Sequence, residues 1–214
     1  MTLVRKKIDT AEAWLQARQQ QGLGASEAAA VLGISPWMST TELWELKTGI
    51  AEKKEVNNAA VSLGKALEPA LRAMYAAEHL AYQIDYHPYD LLYQSDRQWM
   101  FATLDGEILT QDGRKGILEI KTATPNSRKA WDSWAGRMPD HYYTQVVHQL
   151  ASTGYDFVDL YAYLHDITAN EVIIRTYHIE RDEAQADMDY LIAEEEKFWQ
   201  YVQTRTMPPM KLSL

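Results

Sequence analysis

The sequence predicts a layered α/β (α+β) fold in which helices flank a central mixed sheet. Helical patterns occupy both ends of the 214-residue chain, and β-rich segments fill most of the region between them. An Asp112-Gly113 turn between two apolar runs adds a hairpin to that region. No internal repeat or low-complexity linker divides the chain. We therefore expect one domain over residues 1–214, with a helical part at about 1–80, a sheet core at about 90–180 and a C-terminal helix at about 182–203.

Start and stop signals predict four helices in the N-terminal part. Ser26 is a candidate N-cap of the second helix, and Pro69 predicts a kink or a new first turn inside the fourth. The expected helices are one that begins at residues 9–12 and ends before Gly22, a short one over 27–32, one from a cap at 39–41 to Gly49, and a long one over 59–80.

The second half of the chain alternates between extended and helical patterns. We expect extended segments at 90–93, 100–109 and 116–122, helices at 126–135 and 140–153, a strand pair at 157–164 and 171–179, and a final helix over 182–202. The apolar residues of these segments predict a buried sheet, because alternate strand positions face the same side.

The hairpin around Gly113 carries the chemically informative residues. If the turn centres near Gly113, the numbers of paired residues sum to about 224–226, and Asp105 lies opposite Glu119 or Lys121. Glu119 and Lys121 then point to one face of the strand, while Leu118 and Ile120 point to a core. Two carboxylates beside a lysine suit a metal-dependent phosphodiesterase, since Mg²⁺ prefers oxygen ligands. An ordinary surface hairpin would show the same three residues.

Composition narrows the classes of protein to which the chain can belong. The chain has no cysteine, so a disulfide framework and a thiolate metal site are excluded. We see neither a signal peptide nor a membrane span, because charged residues interrupt every long apolar run. The net charge of −9 is weak evidence against a nucleic-acid partner, since eight carboxylates are concentrated in residues 180–196.

Four blocks of sequence, in this order and spacing, resemble a known family. They are residues 22–33 followed by 35–37, 42–44 and 47–49; Gly64-Lys65-Ala66-Leu67-Glu68-Pro69; Asp105 with Glu119-Ile120-Lys121; and residues 142–150. Together they resemble the phage λ-type alkaline exonucleases, the YqaJ-like viral recombinase nucleases of the PD-(D/E)XK superfamily. The resemblance covers about residues 18–164 and implies a restriction-endonuclease-like core. Leu104 stands where the superfamily name implies a proline.

The resemblance implies a role for each candidate residue. Asp105, Glu119 and the Ile120 carbonyl would bind one or two Mg²⁺ ions, with Mn²⁺ as a substitute, and Glu68 would complete the metal site from a helix. Lys121 would orient or deprotonate the attacking water or stabilise the charge that develops on the phosphate. Gln145 would bind the water or a phosphate, and it shares a helix face with Tyr142 and Gln149. We interpret Gln149 and His148 as solvated or core-edge side chains.

Arg18 and Ser26 resemble the family's pocket for the 5′ phosphate at a DNA end. The helix N-terminus predicted at Ser26 would attract an anion, and an arginine can bind phosphate through two hydrogen bonds. The alternative is that Ser26 is only a helix cap. Trp37, Trp44 and Trp131 could stack on bases, although tryptophans are more often part of a core.

The leading expectation is a Mg²⁺-dependent exonuclease that digests the 5′-ended strand of duplex DNA, giving mononucleotides and a 3′ overhang. By resemblance, it would form a homotrimer and act with a single-strand annealing protein in recombination, in the cytoplasm of a bacterial host of phage or prophage. One alternative is an endonuclease or repair nuclease of the same fold, which needs no pocket at Arg18 and Ser26. Another is a DNA-binding protein without catalysis.

Overall fold

A computed structural model describes residues 2–52 and 59–209. Its helices are α1 (Ala11–Gln21), α2 (Ala28–Leu32), α3 (Thr40–Thr48), α4 (Ala59–Glu78), α5 (Arg128–Asp132), α6 (Asp140–Thr153) and α7 (Gln185–Thr204), and a 3₁₀ turn (Ala25–Glu27) precedes α2. Its strands are β1 (Leu3–Lys6), β2 (Leu23–Gly24), β3 (Gln83–Asp85), β4 (Leu91–Gln94), β5 (Met100–Ala102), β6 (Gly106–Leu109), β7 (Lys115–Ala123), β8 (Phe157–Asp166) and β9 (Glu171–Glu180).

The strands form two mixed sheets. The larger sheet has the order β3-β6-β7-β8-β9, in which only β7 and β8 run parallel among the described strands. The smaller sheet has the order β1-β4-β5-β2, with β2 parallel to β5. A parallel pair needs a long crossover, and α5 and α6 lie in the connection between β7 and β8.

The predicted register of the hairpin is confirmed. Gly106 pairs with Leu118 and Leu109 pairs with Lys115, so the paired numbers sum to 224. Extending this register by one residue places Asp105 opposite Glu119. Leu118 and Ile120 are buried, as predicted, and they pack with Leu71 and Tyr75 of α4. The other face of β7 is therefore the one that Glu119 and Lys121 occupy.

Helices cover both faces of the larger sheet. The main core cluster joins the sheet to α6 and α7 through residues such as Val146, Leu150, Leu160 and Leu191. On the opposite face, α4 supplies Leu71 and Tyr75. None of the described helices combines the length and the apolarity that a membrane crossing needs.

Most helices begin and end at the signals that the sequence provides. The Thr10 hydroxyl caps α1, and Ser39 and Glu42 form a reciprocal capping box at α3. Helix α6 matches its prediction at both ends, with Gly154 at φ 73° as its C-cap. These signals are local, so they can be read without knowledge of the tertiary structure.

Two predictions about local structure are wrong, and one of the two alternatives predicted at Pro69 is excluded. Ser26 is not a helix N-cap, because it lies inside the 3₁₀ turn, where the Glu27 carboxylate accepts the Gly24 N–H at 2.9 Å. Of the two outcomes predicted at Pro69, a new first turn is excluded, because α4 runs as one helix from Ala59 to Glu78 with Pro69 inside it. The extended segment at 100–109 is in fact two strands separated by residues 103–105, and this break is where Asp105 lies.

Candidate active site

One cavity of about 230 Å³ contains every residue that the sequence nominates for the site. The eight nominated residues come from α1, the 3₁₀ turn, α4, the β5–β6 connection, β7 and α6. The cavity is lined by Arg18, Ser26, Glu68, Asp105, Glu119, Ile120, Lys121 and Gln145, together with Ala25, Phe101 and Thr103. Residues far apart in sequence thus converge on a single polar surface.

Glu119 is the centre of the hydrogen-bond network in this cavity. Its carboxylate is buried, and its Oε1 lies 2.5 Å from the Lys121 Nζ and 2.5 Å from the Gln145 Nε2. Its Oε2 accepts a hydrogen bond of 2.6 Å from the Gln149 Nε2. One cation and two amide donors therefore stabilise the carboxylate that burial would otherwise destabilise.

Asp105 lies beside this network and is fixed by the backbone of the neighbouring strand. Its Oδ2 accepts the Ile120 N–H at 2.8 Å. Desolvation raises the pKa of Asp105 well above its ordinary value, and repulsion from Glu119 raises it further, while Lys121 acts in the opposite direction. Two carboxylates in one poorly solvated cavity therefore need a cation to remain ionised together.

Lys121 is a cation that the chain itself supplies beside these two carboxylates. Desolvation lowers the pKa of its ammonium, but attraction to Glu119 and Asp105 outweighs that effect, and the net pKa is raised. The Nζ also lies 5.2 Å from the centre of the Tyr142 ring. Lys121 is therefore protonated at neutral pH as long as both carboxylates are ionised beside it.

Helix α4 brings Glu68 to the cavity, where Arg72 holds it. The Arg72 Nη2 donates to the Glu68 Oε1 at 2.6 Å, and its Nε donates to the Asp105 carbonyl oxygen. Gly64 allows α4 to approach β7, since a Cβ at this position would lie 2.8 Å from the Thr122 Oγ1. The Glu68 carboxylate thus lines the site through an ion pair that orients it toward the loop of Asp105.

Arg18 and Ser26 form the other end of the cavity. The Arg18 Nη2 donates to the Ser26 Oγ at 3.3 Å, and the guanidinium lies 4.6 Å from the centre of the Trp14 ring. Within the described residues, Arg18 forms no ion pair. Desolvation lowers its pKa, which attraction to Glu27, Glu119 and Asp105 partly offsets, and an arginine remains charged under such conditions. The pair therefore offers one cation and one hydroxyl to an anion.

A family model matches about two thirds of the chain. The model described as the YqaJ-like viral recombinase domain matches residues 13–156, which contain all eight nominated residues. The chain belongs to this family. A curated relative is the uncharacterized protein YqaJ of Bacillus subtilis (strain 168), which is 29% identical over 186 residues covering 87% of this chain and 54% of the relative. The chain thus spans about half the length of the curated relative that it matches.

Solved structures of exonucleases share the fold of this YqaJ-like chain. The alkaline exonuclease LHK-Exo of Laribacter hongkongensis has a TM-score of 0.69 at 24% identity, covering 92% of this chain and 94% of that one. Its complex with dAMP has a TM-score of 0.68. A phage-related exonuclease of Haemophilus somnus 129PT has a TM-score of 0.56 at 13% identity over 87% of this chain and 96% of that one. The predicted fold class, with a restriction-endonuclease-like core, is confirmed by this likeness.

The donor set of the YqaJ-like site fits a hard divalent cation. Asp105 and Glu119 supply carboxylate oxygens, Ile120 lines the same cavity, and the raised pKa of Asp105 reflects charge that a cation would neutralise. Within the described ranges, residues 2–52 and 59–209, no three acidic or histidine side chains converge as a ready-made metal cluster. An ion would therefore draw its remaining oxygens from the backbone, water or substrate, as Mg²⁺ commonly does.

Two residues that we interpreted as solvated or core-edge side chains are fully buried. Gln149 donates to Glu119, so it belongs to the site, and His148 is bonded to Glu195 and to the Phe101 carbonyl. Arg72 was not nominated at all. The available signal was spacing: Gln145 and Gln149 are four residues apart on one helix face, and so are Glu68 and Arg72.

Proposed function

We propose that this chain is a Mg²⁺-dependent exonuclease of double-stranded DNA that degrades the 5′-ended strand to 5′-mononucleotides and leaves a 3′ overhang. Membership of the YqaJ-like family and the fold of alkaline exonucleases support a nuclease. The observation that carries the finer proposal is that one cavity holds both an acid–lysine cluster and a separate anion pocket at Arg18 and Ser26.

Asp105, Glu119 and the Ile120 carbonyl would hold the metal in this proposal, with Glu68 at the edge of the site. When bound, Mg²⁺ supplies Lewis-acid polarisation of the phosphate and a more acidic bound water. Lys121 lies 2.5 Å from Glu119 and is kept protonated by its neighbours, which suits it to stabilise negative charge on the phosphate and to orient water. Gln145, also 2.5 Å from Glu119, would hold the same water through its amide.

The anion pocket explains why cleavage would proceed from an end. Hydrolysis adds water at the phosphorus and breaks its bond to the 3′ oxygen, so the shortened strand keeps the phosphate on its new 5′ end. The Arg18 guanidinium and the Ser26 hydroxyl would bind that phosphate through charge-assisted hydrogen bonds. Each cycle would then regenerate the group that the pocket binds. An endonuclease needs no such pocket, which is why we favour the exonuclease over an endonuclease or repair nuclease of the same fold.

The wider biological role rests on the family. The name of the family supports action in phage-type recombination. A single-strand annealing protein as partner and a homotrimer that encloses DNA are part of the proposal by resemblance to the λ-type exonucleases. We place the protein in the cytoplasm of a bacterial host of phage or prophage, since its substrate would be there. Duplex DNA ends are the substrate class that we propose, because the pocket at Arg18 and Ser26 and a metal bound at Asp105 and Glu119 would both attract phosphate.

Incubation with Mg²⁺ and matched linear or covalently closed duplexes tests this function. We expect mononucleotides from linear duplex, none from closed circles, and faster release from 5′-phosphorylated than from 5′-hydroxyl ends. Equal nicking of linear and circular DNA would favour an endonuclease. Binding of duplex with no hydrolysis across a titration of Mg²⁺ and Mn²⁺ would favour a non-catalytic DNA-binding protein.

A further inference from the structure

An exposed indole lies next to the candidate active site. All seven tryptophans of the chain fall within the described residues, and Trp37 is the one whose side chain is exposed, at 69%. It lies in the connection between α2 and α3, after Ser35 and Pro36. Single exposed apolar side chains are common on protein surfaces, so what distinguishes Trp37 is its place beside the candidate active site.

Trp37 is held in place by aromatic side chains at the start of α6. Its ring meets the His141 ring edge-on at a centroid distance of 4.8 Å and lies 6.0 Å from the Tyr142 ring. His141 and Tyr142 are themselves 4.1 Å apart. These contacts fix one face or edge of the indole while most of its surface stays open, which lowers the entropic cost of binding a planar ligand.

The aromatic cluster leads directly to Lys121. The Tyr142 ring that contacts Trp37 lies 5.2 Å from the Lys121 Nζ, so only one ring separates the exposed indole from the ammonium in the active site. A polyanion whose phosphate reached Lys121 would have its neighbouring bases at the distance of this cluster. Bases stack on aromatic side chains without a strong sequence preference, because every base has a π-face.

We propose that Trp37 is a stacking platform for a nucleobase of the DNA strand that enters the cavity. The inference rests on the proposed function and deepens it, because it assigns a base-binding position to a site whose nominated residues all address phosphate or metal. Charge favours DNA over an apolar protein segment as the occupant. Lys121 is paired with Glu119 in the adjoining cavity, whereas Arg18 forms no ion pair within the described residues and can bind a phosphate there, so that the strand brings its bases to the rim.

The platform is tested by combining a change in the protein with a change in the DNA. The wild type, Trp37→Ala and Trp37→Phe are compared on an intact 5′-phosphorylated duplex and on four further duplexes. Each of these carries a single abasic site, at the first, second, third or fourth position from the 5′ end. We expect Trp37→Ala to lower kcat/KM on intact duplex by about 5- to 150-fold, the range for loss of one base–aromatic stack. Trp37→Phe should retain most of the activity. At one abasic position, the wild type and Trp37→Ala should become equal.

Binding measurements keep the platform separate from catalysis. Dissociation constants for the same fluorescent duplexes in EDTA, measured by anisotropy, should show the same pattern when no bond is cleaved. Tyr190→Ala is the matched control, since Tyr190 is exposed at 60% on α7 and lacks the contact to the site. An unchanged Trp37→Ala, or an equal loss on intact and abasic duplex, would overturn the platform. Absence of hydrolysis by the wild type would overturn the proposed function alone.

Discussion

The carboxylate of Glu195 lies 2.8 Å from the imidazole Nδ1 of His148, and both side chains are fully buried. The opposite ring nitrogen of His148 lies 2.9 Å from the Phe101 carbonyl oxygen. Because a carbonyl oxygen only accepts, this Nε2 carries the hydrogen. The contacts join α6, which carries Gln145 and Gln149, to α7 and to strand β5. A buried polar pair in the core thus positions the helix whose two glutamines bind Glu119.

Removal of one partner of this pair should destabilise the fold. Glu195→Ala leaves the buried His148 Nδ1 without its partner, and breaking a buried pair costs about 3–5 kcal/mol. For a chain of this size, we expect the midpoint of thermal unfolding to fall by about 6–20 °C, measured by circular dichroism. Glu196→Ala, one residue away and exposed, is the control. Equal midpoints for the two variants would mean that the pair contributes no stability.

Replacement of Lys121 should remove cleavage while DNA binding remains. Lys121→Met keeps the length and apolar stem of the side chain but removes the charge that lies 2.5 Å from Glu119. We expect the single-turnover rate to fall by about 10²–10⁴-fold, the usual contribution of a positioned proton-transfer or charge-stabilising group. Filter binding of duplex ends should change little. Lys129→Met on the exposed surface of α5 is the control, and an unaffected Lys121→Met would exclude this residue from the mechanism.

Loss of Gln149 should impair the site even though this residue does not line the cavity. Its Nε2 donates to the Glu119 Oε2 at 2.6 Å, and a hydrogen bond to a charged group contributes about 1.5–3 kcal/mol. Gln149→Ala should therefore lower the turnover number by about 10- to 100-fold and raise the Mg²⁺ concentration for half-maximal rate. Gln185→Ala at the exposed start of α7 is the matched variant. A rate like that of the wild type would show that Gln145 and Lys121 suffice to hold Glu119.

The sequence predicted the helices and the hairpin better than the edges of the sheets. Helix α6 has a strong apolar period and a terminal glycine, so both of its ends were predicted correctly. Strands β1, β2 and β3 were missed, because they have two to four residues each and depend on partners far along the chain. In β1, for example, Leu3 pairs with Gln94. Short strands of this kind carry too few residues for a period to be visible.

Site residues that belong to a sequence motif could be predicted. Site residues whose role depends on their burial and on their tertiary contacts could not. Asp105, Glu119 and Lys121 follow from the hairpin register, which a turn signal fixes locally. The prediction for Gln149 was wrong, because an amide at this position gives no hydrophobic signal, although its side chain is buried with the Nε2 bonded to Glu119 and to the Thr103 carbonyl. Ser26 was predicted to cap a helix. In the structure, the Glu27 carboxylate accepts the Gly24 N–H at this turn, and the Ser26 hydroxyl accepts a hydrogen bond from Arg18.

The raised pKa of Asp105 predicts how stability depends on pH. In the metal-free protein, Asp105 holds its proton to higher pH in the folded state than in the unfolded state, so the stability that this group contributes is fully present below its ordinary pKa and is lost as pH rises through its folded pKa. The Asp105→Asn variant has no titrating group at this position, so it does not show this loss of stability with rising pH. In EDTA, the unfolding midpoint of the wild type should therefore fall relative to that of the variant as pH rises above the ordinary pKa of an aspartate.

Mg²⁺ supplies the second half of this test. It should raise the midpoint of the wild type at neutral pH, since an ion that binds only the folded state stabilises it, and it should raise that of Asp105→Asn less. Asp182→Asn, at an exposed position before α7, controls for the loss of one surface charge. Parallel pH profiles for the wild type and Asp105→Asn would contradict the raised pKa that desolvation and the Glu119 carboxylate give to Asp105.

Arg18 should matter only when the DNA end carries a phosphate. Its guanidinium donates to Ser26 and forms no ion pair within the described part of the chain, so a terminal phosphate would gain a charge-assisted hydrogen bond there. Arg18→Ala should lower kcat/KM on 5′-phosphorylated duplex by about 10- to 100-fold, for a lost contact of about 1.5–3 kcal/mol, and should leave 5′-hydroxyl duplex nearly unchanged. Arg128→Ala, at a residue whose side chain is 94% exposed, is the matched control. An equal loss on both ends would mean that Arg18 acts on the scissile phosphate or on the fold rather than on the terminus, because only the phosphorylated end presents the charge that the pocket is proposed to bind.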